Sequence, residues 1–274
     1  MRITRALVIA TLTAAAVSPL PAPLLAGDPE PTAAPAQREP APRVTVEQAK
    51  AFIRYYYLDR KPEQVPENIR ALLSVKHSEN DQILYSSALV PLFRQNPKEV
   101  GAWAREIFPR LALNRRQFWN ALWMANTDQA RAALGAVREL AEDQEQPQIE
   151  ALLKTPPPNV LTTRFKQPFD ITVMWGCFYT SGDERFVVRI IDALAGLDES
   201  ETDGNRKAIA VTAQHTLIEN AWAHSKVLAI CKDQESKQPA IVAPHLNEIV
   251  VTAMAKLDEA PCPEPQPPQQ NPAE

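Results

Sequence analysis

The sequence predicts an all-α protein built of stacked helical hairpins, solenoid-like or bundled, with Pro-rich ends. Three observations carry that expectation. The 274 residues hold 26 prolines and only 7 glycines, against ordinary usage of about 5% and about 7%. The six glycines between residues 44 and 259 cannot serve the many tight turns at positive φ that a β-sandwich or barrel needs. Between the same limits apolar residues recur at helical spacing behind recognisable start signals.

The first 26 residues read as a signal peptide. Met1-Arg2-Ile3-Thr4-Arg5 is a basic n-region, Ala6 to Val17 is apolar, and Leu24-Leu25-Ala26 places a small residue before Gly27. A run of twelve apolar residues is shorter than the ~20 needed to cross a bilayer as a helix. The expected address is therefore periplasmic or secreted, with no transmembrane segment after signal removal. Loss of Arg2 and Arg5 from the 29 basic residues leaves 27 facing 33 acidic ones. That balance, with no block of Lys or Arg, argues against nucleic acid as a partner. Residues 27–43 and 260–274 are rich in Pro, Ala and Gln and have little to bury, so they are expected to be a linker and a disordered tail.

The helical domain is expected over residues 44–259. Thr45-Val46-Glu47-Gln48 forms a capping box, followed by Ala49, Phe52, Tyr56 and Tyr57 at helical spacing. A short helix is predicted near Pro66 to Leu73 and a longer one from about Asp81 to Gln95. Asn96-Pro97-Lys98-Glu99 then offers an N-cap, Pro at the first position and Glu at the third. Ser181-Gly182-Asp183-Glu184 offers a second box. Phe93 and Phe178 precede the boxes; Val100, Trp103 and Ile107, then Phe186, Ile190 and Leu194, follow them. Third helices open at Asn114 and Asn205 and carry Leu122 with Asn126 and Leu217 with Asn220. These echoes suggest two copies of a three-helix unit, 81–140 and 168–235. Similar capping chemistry in unrelated hairpins explains the same echoes. Pro147 begins a short helix between the units, and Thr155-Pro156-Pro157-Pro158 ends it as a rigid elbow, 155–158.

Chemistry-bearing motifs are sparse. Cys177 and Cys231 fall in amphipathic patterns as small core residues, Cys262 stands in the tail, and any disulfide among the three is left open. The sequence has no phosphate-cradling loop, nucleophile elbow or zincin motif. No catalytic residue, cofactor or metal is therefore assigned. The arrangement that stands out is one stripe of a long helix, Ala213, Leu217, Asn220, His224, Val227 and Cys231, beside a second, Val211, His215, Ile218, Trp222, Ser225 and Ala229. Two stripes suggest packing on more than one side. Asn220 and His224, with His215, form either the polar floor of a ligand cleft or a buried pair that fixes register. Tyr55, Tyr56 and Tyr57 in a row must point in different directions, which leaves at least one exposed. The acidic runs Glu139–Glu145 and Leu197–Asp203 read as solvated loops.

The resulting expectation is an exported protein-interaction or scaffold module of the cell envelope, more a binder of another protein than an enzyme. The alternative is a small-ligand-binding or hydrolytic protein with a pocket near Asn220, His224 and Trp222.

Overall fold

The computed structural model describes residues 44–198, 204–260 and 265. The segments expected to be a signal peptide, a linker and, apart from Ala260 and Pro265, a tail with Cys262 lie outside the described residues. Among those described are twelve α-helices and no strand: α1 Val46–Tyr55, α2 Val65–Leu73, α3 Glu79–Gln95, α4 Val100–Ile107, α5 Arg115–Ala125, α6 Asp128–Leu140, α7 Gln146–Leu153, α8 Phe169–Ser181, α9 Glu184–Asp192, α10 Gly204–Ala223, α11 Ser225–Gln234 and α12 Ala243–Glu259. No helix among the described residues is long and apolar enough to cross a membrane.

The Thr45 box forms in full: its hydroxyl accepts the Gln48 amide at 3.2 Å and its own amide donates to the Gln48 side chain at 2.9 Å. The other two boxes are corrected. Asn96 closes α3 instead of opening α4, because its side-chain amide donates to the Leu92 carbonyl at 2.8 Å. Residues 97–99 make a turn and α4 begins at Val100. At the second box α8 continues through Ser181, Gly182 takes φ 65°, and Asp183 caps α9 by accepting the Arg185 amide at 3.0 Å. At the first junction a polar side chain answers an open carbonyl of the preceding helix, and at the second Asp183 answers an open N–H of the following one.

The two segments share an element order: a long helix, a short helix ending in a 3₁₀ turn (Phe108–Arg110 or Ala193–Leu197), then three more helices. Their packing differs. In the first, α5 lies on α3; in the second, α10 lies on the 3₁₀ turn and on α12. Each has its own apolar core, with Phe93, Phe108, Phe118 and Trp119 in the first and Trp175, Phe178, Ile190 and Leu217 in the second.

The most extensive helix pair is α3 with α8. Gly176 permits it, since a Cβ there would collide with the Ser87 hydroxyl and the Leu84 carbonyl. Thr172, Gly176 and Thr180 share one face at four-residue spacing. Thr172 donates to Asn80 at 2.7 Å and Thr180 to the Ala88 carbonyl at 2.7 Å. Pro91 inside α3 has no N–H to give the Ser87 carbonyl four residues back. The Cys177 thiol donates to that carbonyl at 3.5 Å instead, a weak bond in a buried place. Burial pushes this thiol up to about 12, so it stays protonated.

The acidic run 139–145 is not uniformly solvated. Glu145 accepts a bidentate bond from Arg115, with both side chains about 15% exposed, and the Arg115 guanidinium lies 4.1 Å from the Phe108 ring centre.

Candidate functional site

The helix predicted to run unbroken from Ala213 to Cys231 breaks at His224. That residue has φ −138° and ψ 110° and separates α10 from α11. Its amide still donates to the Asn220 carbonyl, and its carbonyl accepts from Val227 and Leu228. One extended residue therefore sits between two helices without losing its backbone bonds. The first predicted stripe stays buried along its length, from Ala213 through His224 to Cys231.

What holds the break is the His224 ring and the groups that reach it from α1 and α8. The segment after α1 crosses the C-terminal end of α8, where helix carbonyls lack internal donors. The Tyr57 amide donates to the Tyr179 carbonyl at 3.2 Å and Arg60 to the Ser181 carbonyl at 3.1 Å. Gly182, at positive φ, leaves room there, since a Cβ would lie 3.0 Å from Tyr57 Cβ. Tyr57 is thereby brought to His224, its hydroxyl 3.1 Å from Nδ1, while Arg54 Nε lies 3.4 Å from Nε2. An arginine can only donate. Nε2 is therefore the acceptor, which places the imidazole proton on Nδ1, donated to Tyr57.

The ring is also enclosed by aromatics. Tyr179 stacks on it at 5.2 Å and 22°, Tyr55 tilts against it at 4.9 Å, and Phe178 meets it edge-on at 6.2 Å. Tyr179 donates to Asn220 Oδ1 at 2.6 Å, and Asn220 donates to the Thr216 carbonyl at 2.8 Å. His224 has no exposed surface and Asn220 very little. Burial, helped by the Arg54 charge, pushes His224 down to about 3, and burial raises the Tyr179 hydroxyl to about 12. At neutral pH the cluster holds an uncharged imidazole and a protonated Tyr179 phenol beside one arginine. Both ring nitrogens are occupied, so the arrangement is suited to locking α1 onto the α8–α10–α11 junction.

The predicted trio of Asn220, His224 and Trp222 does not share one cavity. Asn220 and His224 point inward. His215 is exposed, as are Val211, Ser225 and Ala229, so the second stripe largely faces outward. Trp222 lines an open apolar groove of about 210 Å³ with Ser225, Leu228, Ala229, Lys232 and Leu257. Its indole N–H donates to the Ala260 carbonyl at 3.2 Å, and Lys256 lies 4.8 Å from the ring centre while paired with Glu219. Tyr55, Tyr56 and Tyr57 are all at least half-buried: Tyr56 is in the core and the other two serve His224. Their role was missed in the sequence because their partner lies about 170 positions away, and only the aromatic run itself was a signal.

Two further clefts lie on the described surface. A cleft of about 280 Å³ at the elbow is lined by Arg94, Asn126, Pro157, Pro158 and Phe186. Arg94 there donates to the Ala125 and Met124 carbonyls, capping α5. A cleft of about 150 Å³ gathers Arg164, Arg189, Arg206 and Asp192, with Arg189 over Phe165 at 4.9 Å. Among the described residues no group of three His, Cys, Asp or Glu is placed to hold a metal ion. No family model, curated protein or solved structure matches this chain.

Proposed function

We propose that this chain is an exported α-helical interaction module of the cell envelope, and that the face made by α10–α12 receives its protein partner. The basic and apolar N-terminal segment with Ala26 before Gly27 supports the export reading. The interaction reading rests on one observation. Of the seven large apolar side chains exposed among the described residues, four (Val211, Ile241, Val251 and Met254) fall between residues 204 and 259. Val251 and Met254 stand three positions apart on α12 and so share one side of it, and an apolar strip left in water is a place where another protein can exclude that water.

A hydrolytic or small-ligand reading draws its support from Asn220 and His224. Its weakness is access, since His224 is fully enclosed and both its nitrogens are engaged.

A photo-crosslinking residue at Val251, compared with one at Ala132 on α6, tests the interaction reading in the producing cell's envelope. Val251 is 59% exposed and Ala132 is exposed, so both variants are expected to fold. A discrete adduct from position 251 and none from 132 is expected. Equal or absent adducts from the two positions overturn the assignment of the face.

A further inference from the structure

The elbow cleft, at about 280 Å³, is larger than either the Trp222 groove or the cleft that gathers three arginines. It opens where the two segments meet: Arg94 comes from α3, Asn126 from the end of α5, Pro158 and Asn159 from the elbow and its next residue, and Phe186 from α9. We propose that this cleft binds a carboxylate carried on a small apolar group, held by Arg94, Asn126 and Asn159.

The charge of the lining favours an anion. Arg94 donates from Nε to the Ala125 carbonyl at 3.0 Å and from Nη2 to the Met124 carbonyl at 3.3 Å. A guanidinium has five N–H donors, so three remain, and carbonyls leave its positive charge uncancelled. No Asp or Glu lines the cleft, and Arg94 makes no ion pair among the described residues. In the arginine cleft, by contrast, Asp192 already lies 3.7 Å from Arg189. The two carbonyls also fix the plane of the Arg94 fork, so less freedom is lost when a carboxylate arrives.

Two side-chain amides add neutral donors. Asn126 ends α5 at φ 50°, and its side chain has no hydrogen-bond partner among the described residues. Asn159 accepts the Leu161 amide through Oδ1 at 3.0 Å, and its carbonyl accepts the Thr163 hydroxyl at 2.7 Å. That side chain is thereby held in place with its Nδ2 donor to give. Donors from three elements therefore line a cleft that has no anion of its own, and a carboxylate has two oxygens to accept them.

The size narrows the occupant. Pockets for drug-sized ligands begin at about 300 Å³, so this cleft suits a carboxylate and about one side chain. Val160, Leu161 and Phe186 give that side chain an apolar wall. The C-terminus of a peptide and a free small acid share this chemistry. Nothing from α10–α12 lines the cleft, so the site stands apart from the proposed partner face and neither depends on the other.

Titration of N-acetyl-leucine and of N-acetyl-leucinamide into the isotope-labelled full chain tests the site, read by NMR at the Asn126 and Asn159 side-chain amides. The acid is expected to shift both signals and to bind about 10-fold or more tightly than the amide. Equal affinities, or no shift at either asparagine, overturn the proposal. Arg94 and Asn126 are exposed, so Arg94→Gln and Asn126→Gly are expected to fold. The first is expected to weaken the acid by about 10-fold or more and the second several-fold. Weakening in Arg164→Gln with none in Arg94→Gln overturns the proposal in favour of the arginine cleft. A hexapeptide ending in leucine separates the two sources. Tighter binding than N-acetyl-leucine, lost on C-terminal amidation, identifies a chain terminus; binding no tighter identifies a free acid.

Discussion

The segment from α3 to α7 and the segment from α8 to α12 follow the same order of elements and stabilise themselves differently. The first buries an almost wholly apolar core and keeps its ions at the rim, where Arg115 clasps Glu145 over Phe108. The second buries Asn220, Thr180 and His224, and its longest helix is interrupted so that His224 can be enclosed. Asn126, the expected counterpart of Asn220, is instead an exposed residue at φ 50° that ends α5. Similar local signals thus serve a helix end in one segment and a buried hydrogen bond in the other. A polar residue on an apolar stripe acquires its role from what another element brings to it.

The variant expected to do most damage removes the seam that joins the two segments. Gly176→Ala forces a Cβ into Ser87 and the Leu84 backbone, and overpacking costs about 1–3 kcal/mol, more where backbone blocks the new atom as it does here. A urea midpoint that falls sharply without a change in slope is the expected reading. An unchanged midpoint contradicts the close crossing of α3 and α8.

Next in size is the contrast between His224 and Asn126. His224→Ala leaves a cavity among four aromatic rings and takes the Nε2 acceptor from Arg54, so about 3 kcal/mol of stability is expected to be lost. Asn126→Gly suits the left-handed backbone it occupies and is expected to change stability by less than about 0.5 kcal/mol. Equal effects in thermal or urea unfolding would dissolve the distinction between the two positions.

Much of the fold was legible because its punctuation is local. The Thr45 box, Pro147 at the start of α7 and Pro156–Pro158 after it depend on neighbours within a few positions. Helix starts at Asn96 and Ser181 were placed too early because either helix in a tight connection has a claim on the polar residue between them. The buried state of Asn220 and His224 followed from their stripe. The break at His224 did not, since Arg54, Tyr57 and Tyr179 create it from distant elements. Nor did the link between Pro91 and Cys177, which needs the α3–α8 crossing to exist.

The His224 ring also carries a pH dependence. His224 falls from an ordinary 6.5 to about 3 in the folded chain, so the unfolded chain binds more protons in between. Its contribution to stability is whole above about pH 6.5 and is lost as the pH drops from there toward 3, by at most about 1.4 kcal/mol per unit. The difference between the unfolding profiles of the native chain and His224→Ala isolates this contribution from that of the carboxylates. A difference that stays constant across pH 3 to 6.5 contradicts it.

His224 is an enclosed, neutral ring bonded at both nitrogens, and it locks α1 to the second segment. Nitrogen NMR of the imidazole measures this directly in the native protein. A proton on Nδ1, an acceptor at Nε2 and no titration between pH 5 and 8 are expected. A ring that titrates between 6 and 7, or that carries its proton on Nε2, contradicts it.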